Sequence, residues 1–206
     1  MKTVVNSSVP AALGGDMFDV ADLVAKCQAA VKDADPRGAV RDVVRRTLTS
    51  STDVASVLGK DEGGLGVLYS GPDLTVLNVV WAPHMTIYPH DHRMWAVIGI
   101  YGGAETNRLY RRGAEQLQQA GERLLDTGEV FSLGRDAIHA VHNPRDRFTG
   151  AIHIYGGDFV NTPRSQWDPD TMMEQPYDLE QVRRLFAQAN ADWRAQLGQD
   201  LDEQTG

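Results

Sequence analysis

The middle of the chain, from about residue 65 to residue 159, most constrains the fold, because it reads as a series of short strands with no helix between them. Its runs are apolar or alternating, rich in β-branched and aromatic residues, and separated by glycine, proline or aspartate. Parallel strands need long, usually helical connections, so the pattern favours a closed or double-sheet barrel. The predicted strands are Gly66–Tyr69, Thr75–Ala82, Met85–Tyr88, Ala96–Tyr101, Glu105–Arg111, Arg123–Thr127, Val130–Leu133, Ala137–His142 and Gly150–Tyr155.

Helical patterns flank this region on both sides. Asp16 or Asp19 is able to cap a first amphipathic helix, and a second covers Arg37–Leu48. Near the C-terminus, a third apolar stripe predicts a helix, and Asp178 is its predicted N-cap residue. The length of 206 residues suits one domain with a sizeable core. The predicted division is a helical segment at 1–64, the β-barrel at 65–160, and a loop with a helix at 161–206.

The charge balance and the cysteine count exclude several classes of protein. The net charge of -8 gives no general attraction to nucleic acid or to anionic membranes. Cys27 is the only cysteine, which excludes a disulfide-stapled scaffold. The sequence has neither a signal-peptide pattern nor an apolar stretch of about 18 residues. We therefore expect a cytoplasmic protein with no nucleic-acid or membrane partner, and a homo-oligomer is compatible with these features.

All six histidines fall within the predicted barrel region. His90 and His92 are two residues apart, so in a strand they face the same side and are able to share one metal ion. The third ligand is then His139 or His142, which face opposite sides of a regular strand. Three imidazoles from two strands would leave coordination positions open, as a catalytic metal requires. The alternative interpretation is that the first pair is an exposed polar strand edge.

A second pair of polar residues lies on the last predicted strand. His153 and Tyr155 share one face, and Ile152 and Ile154 share the other. One interpretation is a buried polar pair with a structural role. The other is an acid–base pair beside the metal, in which His153 sets the proton of the Tyr155 hydroxyl.

These residues resemble the cysteine dioxygenase-type cupins, and more closely their bacterial relatives, which include the 3-mercaptopropionate dioxygenases. The resemblance covers about half of the chain, and the flanking helical segments agree with it. The segments that carry it are Trp81, Pro89-His-Asp-His92, Gly99, Ile138-His-Ala-Val-His-Asn143 and Ile152-His-Ile-Tyr155.

The resemblance implies a fold, a metal site and a reaction. The fold is the cupin fold, an all-β jelly-roll barrel or double-stranded β-helix, with helical N- and C-terminal segments. His90, His92 and His139 match the residues that hold Fe(II), and His153 and Tyr155 match catalytic residues. The reaction would add both atoms of O2 to the sulfur of a small-molecule thiol, giving a sulfinate.

The sequence also departs from the pattern of that family. Ala151 stands where the family has a serine next to its histidine–tyrosine pair, and residues 61–66 lack the arginine that binds the carboxylate of cysteine. Arg164, nine residues after the tyrosine, matches a carboxylate-binding arginine of the mercaptopropionate-type relatives. Met94 and Trp95 follow the first ligand pair and are candidates for the wall of a substrate pocket.

Two other functions stay open at this point. The chain is also compatible with a metal-dependent oxygenase that acts on a non-thiol substrate, since the serine and the early arginine are both missing. It is compatible as well with a non-catalytic binding or sensor cupin, for which Zn is the natural metal. Ni and Mn are further alternatives to Fe(II).

Overall fold

Three helices open the computed structural model, which describes residues 17–114 and 116–205. The carboxylate of Asp19 accepts a hydrogen bond from the amide of Asp22 (2.8 Å), and the carboxylate of Asp35 accepts one from Gly38 (3.1 Å), so side chains cap the first two helices. Of the two predicted caps, Asp19 is confirmed, and Asp16 lies outside the described residues. The helices are α1 (Val20–Ala30), α2 (Pro36–Thr47) and α3 (Ser51–Leu58).

Eleven strands and a last helix follow. Successive side chains of a strand point to opposite faces of its sheet, and this produces the alternating pattern from which the strands were predicted. Asp178 accepts hydrogen bonds from the first amides of the last helix, as predicted. The elements are β1 (Gly64–Ser70), β2 (Thr75–Trp81), β3 (Thr86–Asp91), β4 (Ala96–Gly102), β5 (Ala104–Arg112), β6 (Leu117–Asp126), β7 (Val130–Leu133), β8 (Ile138–His142), β9 (Thr149–Tyr155), β10 (Ser165–Trp167), β11 (Glu174–Pro176) and α4 (Leu179–Thr205).

The strands form two sheets that face each other. One sheet has the order β1-β2-β9-β4-β7, and the other has the order β11-β10-β3-β8-β5-β6. Neighbouring strands are antiparallel in both sheets. Strands distant in sequence, such as β2 and β9, therefore pair directly, which is the crossed connectivity of a double-stranded β-helix. The predicted cupin fold is confirmed.

The first sheet is buried on both of its faces. Its inner face packs against the second sheet, with residues such as Leu77 and Ile98 in the barrel core. Its outer face packs against α1, α2 and α3, with Val97 and Ile154 beneath the helices. The fit under α2 is close, because a Cβ atom added at Gly99 would stand 2.4 Å from Cγ1 of Val44. Sheets of this kind read as nearly continuous apolar runs, as β2 and β4 do.

Helix α4 covers one opening of the barrel. Val182 and Phe186 are buried in the barrel core, and the ring of Phe186 stacks on Trp81 with centroids 5.4 Å apart. The side chain of Asn190 exchanges two hydrogen bonds with the backbone of Gly63, just before β1. The helix is therefore fixed to the barrel at two successive points. Among the described residues, we find no helix with the length and apolar character needed to cross a membrane.

The structure also corrects parts of the predicted organisation. All nine predicted strands are present, with ends shifted by a few residues. Strands β10 and β11 fall within 161–206, which the sequence predicted to be only loop and helix, so the second sheet extends into that segment. Helix α3 was not predicted as a separate element. Strands of three residues and a helix of eight are too short to give a clear period.

Candidate metal centre

Three buried imidazoles converge inside the barrel, as predicted. The Nε2 atom of His92 lies 3.2 Å from Nε2 of His90 and 3.2 Å from Nε2 of His139. The three side chains are 6%, 1% and 1% exposed for His90, His92 and His139 respectively. They form a group that could hold a metal ion, the one such group of at least three histidine, cysteine or acidic residues found in the described part of the chain.

The pairing of two strands explains the convergence. His90 near the end of β3 and His139 on β8 are direct cross-strand partners, so their side chains leave the sheet side by side. His92 lies two residues after His90 and reaches the same side, just past the end of the strand. The intervening Asp91 points the other way, where it accepts a hydrogen bond from the amide of Ser165 (2.9 Å).

The partners of two histidines prepare their Nε2 atoms for a cation. Nδ1 of His90 lies 3.1 Å from the carbonyl oxygen of Tyr88, and Nδ1 of His139 lies 2.7 Å from Oδ1 of Asn107. These oxygens only accept, so each Nδ1 carries the proton and each Nε2 offers a lone pair. Two imidazoles that bind one ion at about 2.1 Å have their nitrogens at a separation comparable to the 3.2 Å that separates Nε2 of His92 from each of these atoms. The donor set therefore fits a divalent metal.

Burial also keeps these histidines neutral at ordinary pH. Removal from water lowers the pKa of His90 to about 4, despite its hydrogen bond to a backbone carbonyl. The pKa values of His92 and His139 lie well below their usual value, first because of burial and then because the imidazoles face one another. Neutral imidazole is the form that binds metals.

We expect the metal-free protein to lose stability as the pH falls below about 6.5. In the unfolded chain these histidines take up protons near pH 6.5, whereas in the folded protein the pKa of His90 is about 4. The unfolded state then binds more protons, so the free energy of unfolding decreases as the pH falls from 6.5 toward 4. Urea unfolding in the presence of a chelator, repeated along this pH range, measures the effect. A His84→Ala variant, which removes an exposed histidine, should keep the slope, and a flat curve in the wild-type protein would contradict the prediction.

A second polar network lies next to the three histidines. Nδ1 of His153 lies 3.1 Å from the hydroxyl of Tyr155, and its Nε2 lies 3.2 Å from Oε2 of Glu105. The same carboxylate accepts hydrogen bonds from Nε1 of Trp81 (2.7 Å) and from Nδ2 of Asn107 (2.9 Å). The predicted histidine–tyrosine pair is thus present and buried, and it continues into a buried glutamate.

Sequence reasoning missed Glu105 and Asn107. The only available signal was their position two residues apart on a predicted strand, which places both on one face of that strand. Glu105 is fully buried (0% exposed). The hydrogen-bond partners that offset the cost of burying its carboxylate include Trp81 on β2 and His153 on β9. A buried carboxylate cannot be recognised from a sequence without knowing which strands are neighbours.

Two cavities approach the histidines. A small inner chamber of about 30 Å³ is lined by His90, His139, His153 and Tyr155 among others. A larger outer cavity of about 500 Å³ opens toward α4. The two share five lining residues, so the outer cavity is adjacent to the inner chamber. The shared residues are Leu65, Leu77, Phe159, Tyr177 and Phe186.

Arg164 lies between the rings of two residues that the cavities share. Its guanidinium carbon is 4.0 Å from the ring centroid of Phe159 and 3.9 Å from that of Tyr177. Its Nη1 donates to the carbonyl of Phe159 (2.6 Å), and its Nε has no hydrogen-bond partner among the described residues. The ring of Phe159 stacks in turn on Tyr155 at 4.0 Å. Arg164 therefore lines the outer cavity, one aromatic layer from the inner chamber.

The two predicted pocket-wall residues do not line either cavity. Trp95 packs with the residues under the N-terminal helices, on the other side of the first sheet, and lies over Gly156. Met94 is buried in the barrel core beside Gly157. The alternation of sides continues after the left-handed residue Arg93 (φ 58°), so Met94 lies on the inner side of the first sheet and Trp95 on its outer side, and neither borders the two cavities.

The remaining residues singled out in the sequence also have clear positions. His142 faces away from the three histidines, and its Nδ1 lies 3.0 Å from the hydroxyl of Thr86. Of the two candidates for the third ligand, the structure therefore selects His139. Ala151 is buried on the inner face of β9, and its methyl group offers no hydrogen bond to His153. Cys27 is buried under the first sheet, and burial raises its pKa to about 12.

Several solved structures resemble about half of the chain. No model of a known protein family matches the chain. A cupin family protein with a double-stranded β-helix fold from Methanocaldococcus jannaschii matches 49% of this chain and 85% of its own length, at 9% identity and a TM-score of 0.42. A protein with a double-stranded β-helix domain from Klebsiella pneumoniae subsp. pneumoniae matches 52% and 81%, at 14% identity and a TM-score of 0.42. An oxalate oxidase matches 49% of this chain, which spans about half (54%) of that enzyme, at 16% identity and a TM-score of 0.38.

Proposed function

We propose that the chain is an Fe(II)-dependent dioxygenase that oxidises a small carboxylated thiol to a sulfinate. The observation that carries the proposal is that two groups of residues border one chamber. His90 and His139, two of the three converging neutral imidazoles, line it together with the Tyr155–His153 pair. A metal held by three protein ligands keeps positions open for other molecules, whereas a purely structural site is closed by protein ligands.

His90, His92 and His139 would hold the metal through their Nε2 atoms. When bound, Fe(II) supplies open coordination positions for a thiolate and for O2, and the redox chemistry that lets them react. Both oxygen atoms would end on the sulfur, so the thiolate becomes a sulfinate and no other reductant is consumed. The inner chamber is small and is walled by apolar and aromatic side chains, which would keep bulk water away from the reacting atoms.

Tyr155 would hold a proton at the edge of this chamber. Its ring packs edge-on against His92, with centroids 4.9 Å apart, so the side chain borders the metal-binding residues. Burial holds the pKa of its hydroxyl well above the usual value, so the group stays protonated and is able to donate. His153 orients that hydroxyl from the far side.

Arg164 would bind the carboxylate of the substrate. It is a permanent cation at the border of the two cavities, and its Nε has an unused donor. A carboxylated thiol that reaches the metal with its sulfur would have its carboxylate near this border. The inner chamber of about 30 Å³ holds little more than a water molecule, so the aromatic residues around Arg164 must move when substrate enters.

Oxygen consumption with a panel of thiols tests the proposed function. The protein is purified without oxygen, loaded with Fe(II), and mixed with 3-mercaptopropionate, cysteine or cysteamine, which lacks a carboxylate. We expect O2 uptake with a carboxylated thiol, and one sulfinate formed for each O2 consumed. Uptake that does not depend on a thiol, or no uptake with any of these thiols, would contradict the proposal.

Arg164→Met should raise the KM for the carboxylated thiol by roughly 10- to 100-fold, because a charged hydrogen-bonded pair contributes about 1.5–3 kcal/mol. Methionine keeps an apolar side chain between the two rings, so the iron content should not change. The matched control is Arg123→Met, since Arg123 also stacks on a phenylalanine, Phe131, far from the three histidines. An unchanged KM in Arg164→Met would remove Arg164 from substrate binding.

The outer cavity favours one alternative, an oxygenase that acts on a larger apolar substrate. Its volume of about 500 Å³ exceeds what a three-carbon thiol needs, and its walls include Leu65, Val67, Leu77 and Phe186. Such a substrate would place an anionic group near Arg164 and its apolar body in the outer cavity. O2 uptake with apolar carboxylic acids, in the absence of any thiol, would favour this alternative.

A further inference from the structure

Glu105 is the most deeply buried acidic side chain beside the metal centre, with none of its surface exposed. Its Oε2 accepts a hydrogen bond from Trp81 and faces Nε2 of His153, and its Oε1 accepts one from Asn107. An indole N–H can only donate, so the oxygen facing Trp81 must accept. Burial alone would raise the pKa of Glu105, but His153 and the hydrogen bonds bring it below its usual value.

The contact with Asn107 decides the orientation of an amide. Because Oε1 of Glu105 accepts, Asn107 must present its NH2 group there, and its oxygen then faces His139. An amide oxygen can only accept, so Nδ1 of His139 must carry the proton. The lone pair of His139 is then on Nε2, which points toward His90 and His92. One carboxylate thereby sets the tautomer of a metal ligand two contacts away.

The contact with His153 decides a second tautomer. An ionised Oε2 can only accept, so Nε2 of His153 must carry a proton. Nδ1 is then the atom that faces the hydroxyl of Tyr155, at 3.1 Å.

We infer that Glu105 is a positioning residue that fixes the protons of His139 and His153 together, and so couples the metal ligands to the tyrosine–histidine pair. Replacing its carboxylate by any group that donates would disturb at least one of the two histidines. The inference rests on the proposed metal site, but the tautomers exist in the metal-free protein. A failure of the inference and a failure of the proposed function can therefore be told apart.

The first test measures the tautomers in the wild-type, metal-free protein. Long-range proton–nitrogen NMR spectra of 15N-histidine-labelled protein distinguish a protonated Nδ1 from a protonated Nε2. We expect His139 to be protonated on Nδ1 and His153 to be protonated on Nε2. The opposite tautomer at either residue would overturn the inference, whatever the protein does with metals or thiols.

The second test uses Glu105→Gln. The Gln oxygen would keep Trp81 and His153, and its NH2 group would then oppose the NH2 group of Asn107. Rotation of the Asn107 amide relieves this conflict, but it turns an NH2 group toward Nδ1 of His139 and favours a proton on Nε2. We expect the His139 tautomer to change and the affinity for Zn²⁺, measured by chelator competition, to fall roughly 10- to 100-fold.

A double variant and a control complete this test. In Glu105→Gln combined with Asn107→Asp, the new carboxylate at 107 accepts from both the Gln amide and His139, so the wild-type tautomer and the Zn²⁺ affinity should return. Glu122→Gln, which changes an exposed carboxylate paired with Arg108, should have no effect on either. An unchanged tautomer and affinity in Glu105→Gln, or no recovery in the double variant, would overturn the inference. If Glu105→Gln alone does not fold, the wild-type spectra and the double variant still decide.

Discussion

His139→Ala should leave the protein almost free of metal after reconstitution with Fe(II) or Zn²⁺. Structural zinc sites with about four ligands contribute about 10–16 kcal/mol, so one ligand is worth roughly 3 kcal/mol, or at least a 100-fold loss of affinity. Any dioxygenase activity should disappear with the metal. The measurement is the metal content of the purified variant by elemental analysis, together with competition against a chelator.

The same strand offers a matched control for this experiment. His142 is also on β8, three residues further along, and contacts Thr86 on the opposite side. His142→Ala should therefore bind metal like the wild type. If His139→Ala retains its metal, or if His142→Ala loses it, the three-histidine site is wrong.

Tyr155→Phe should lower kcat by roughly 100-fold or more while the iron content stays the same, since positioned proton donors contribute about 10²–10⁴ to the rate. The ring still fills its place against Phe159 and His92, so only the hydroxyl is lost. The variant loses one hydrogen bond, to His153, at a cost of about 1 kcal/mol in stability. Steady-state O2 uptake and iron content are measured on the same preparation.

Tyr101→Phe separates this effect from a general loss of stability. The Tyr101 hydroxyl lies 3.1 Å from the carbonyl oxygen of Leu58 and 2.9 Å from Oδ1 of Asn78, and its one proton donates to this pair of acceptors, away from the inner chamber. Its loss should lower the melting temperature at least as much as Tyr155→Phe, but it should not change kcat. Equal kcat values for Tyr155→Phe and the wild type would make Tyr155 a structural residue.

The histidine ligands could be predicted from the sequence because strand geometry is local. Two residues two positions apart must face the same side, so His90 and His92 belonged together before any fold was known. The alternation on β9 likewise placed His153 with Tyr155. The family resemblance pointed to His139 rather than His142, and the pairing of β3 with β8, which makes His90 and His139 direct neighbours, gives the structural reason.

The features that were missed depend on contacts between segments that are distant in the sequence. Glu105 is stabilised by His153, 48 positions away in the chain, and no local pattern announces that contact. Met94 and Trp95 follow the ligand pair in the chain, but the walls of the two cavities are formed by segments distant in sequence, which the local pattern does not reveal. Strand β10 is recognised only through its partners, because it pairs with β11 on one side and with His90 of β3 on the other.

Strand β9 connects the inner chamber to the layer of N-terminal helices, which does not contact the chamber. His153 and Tyr155 face the chamber, and Ile152 and Ile154 anchor the opposite face beneath α1, α2 and α3. A slip of one residue would exchange these two sets, setting isoleucine beside the histidines and an imidazole against apolar helices. Packing against the helices therefore allows only one register of β9. Engineers who redesign those helices for heat tolerance should expect some variants to remain folded yet lose their metal.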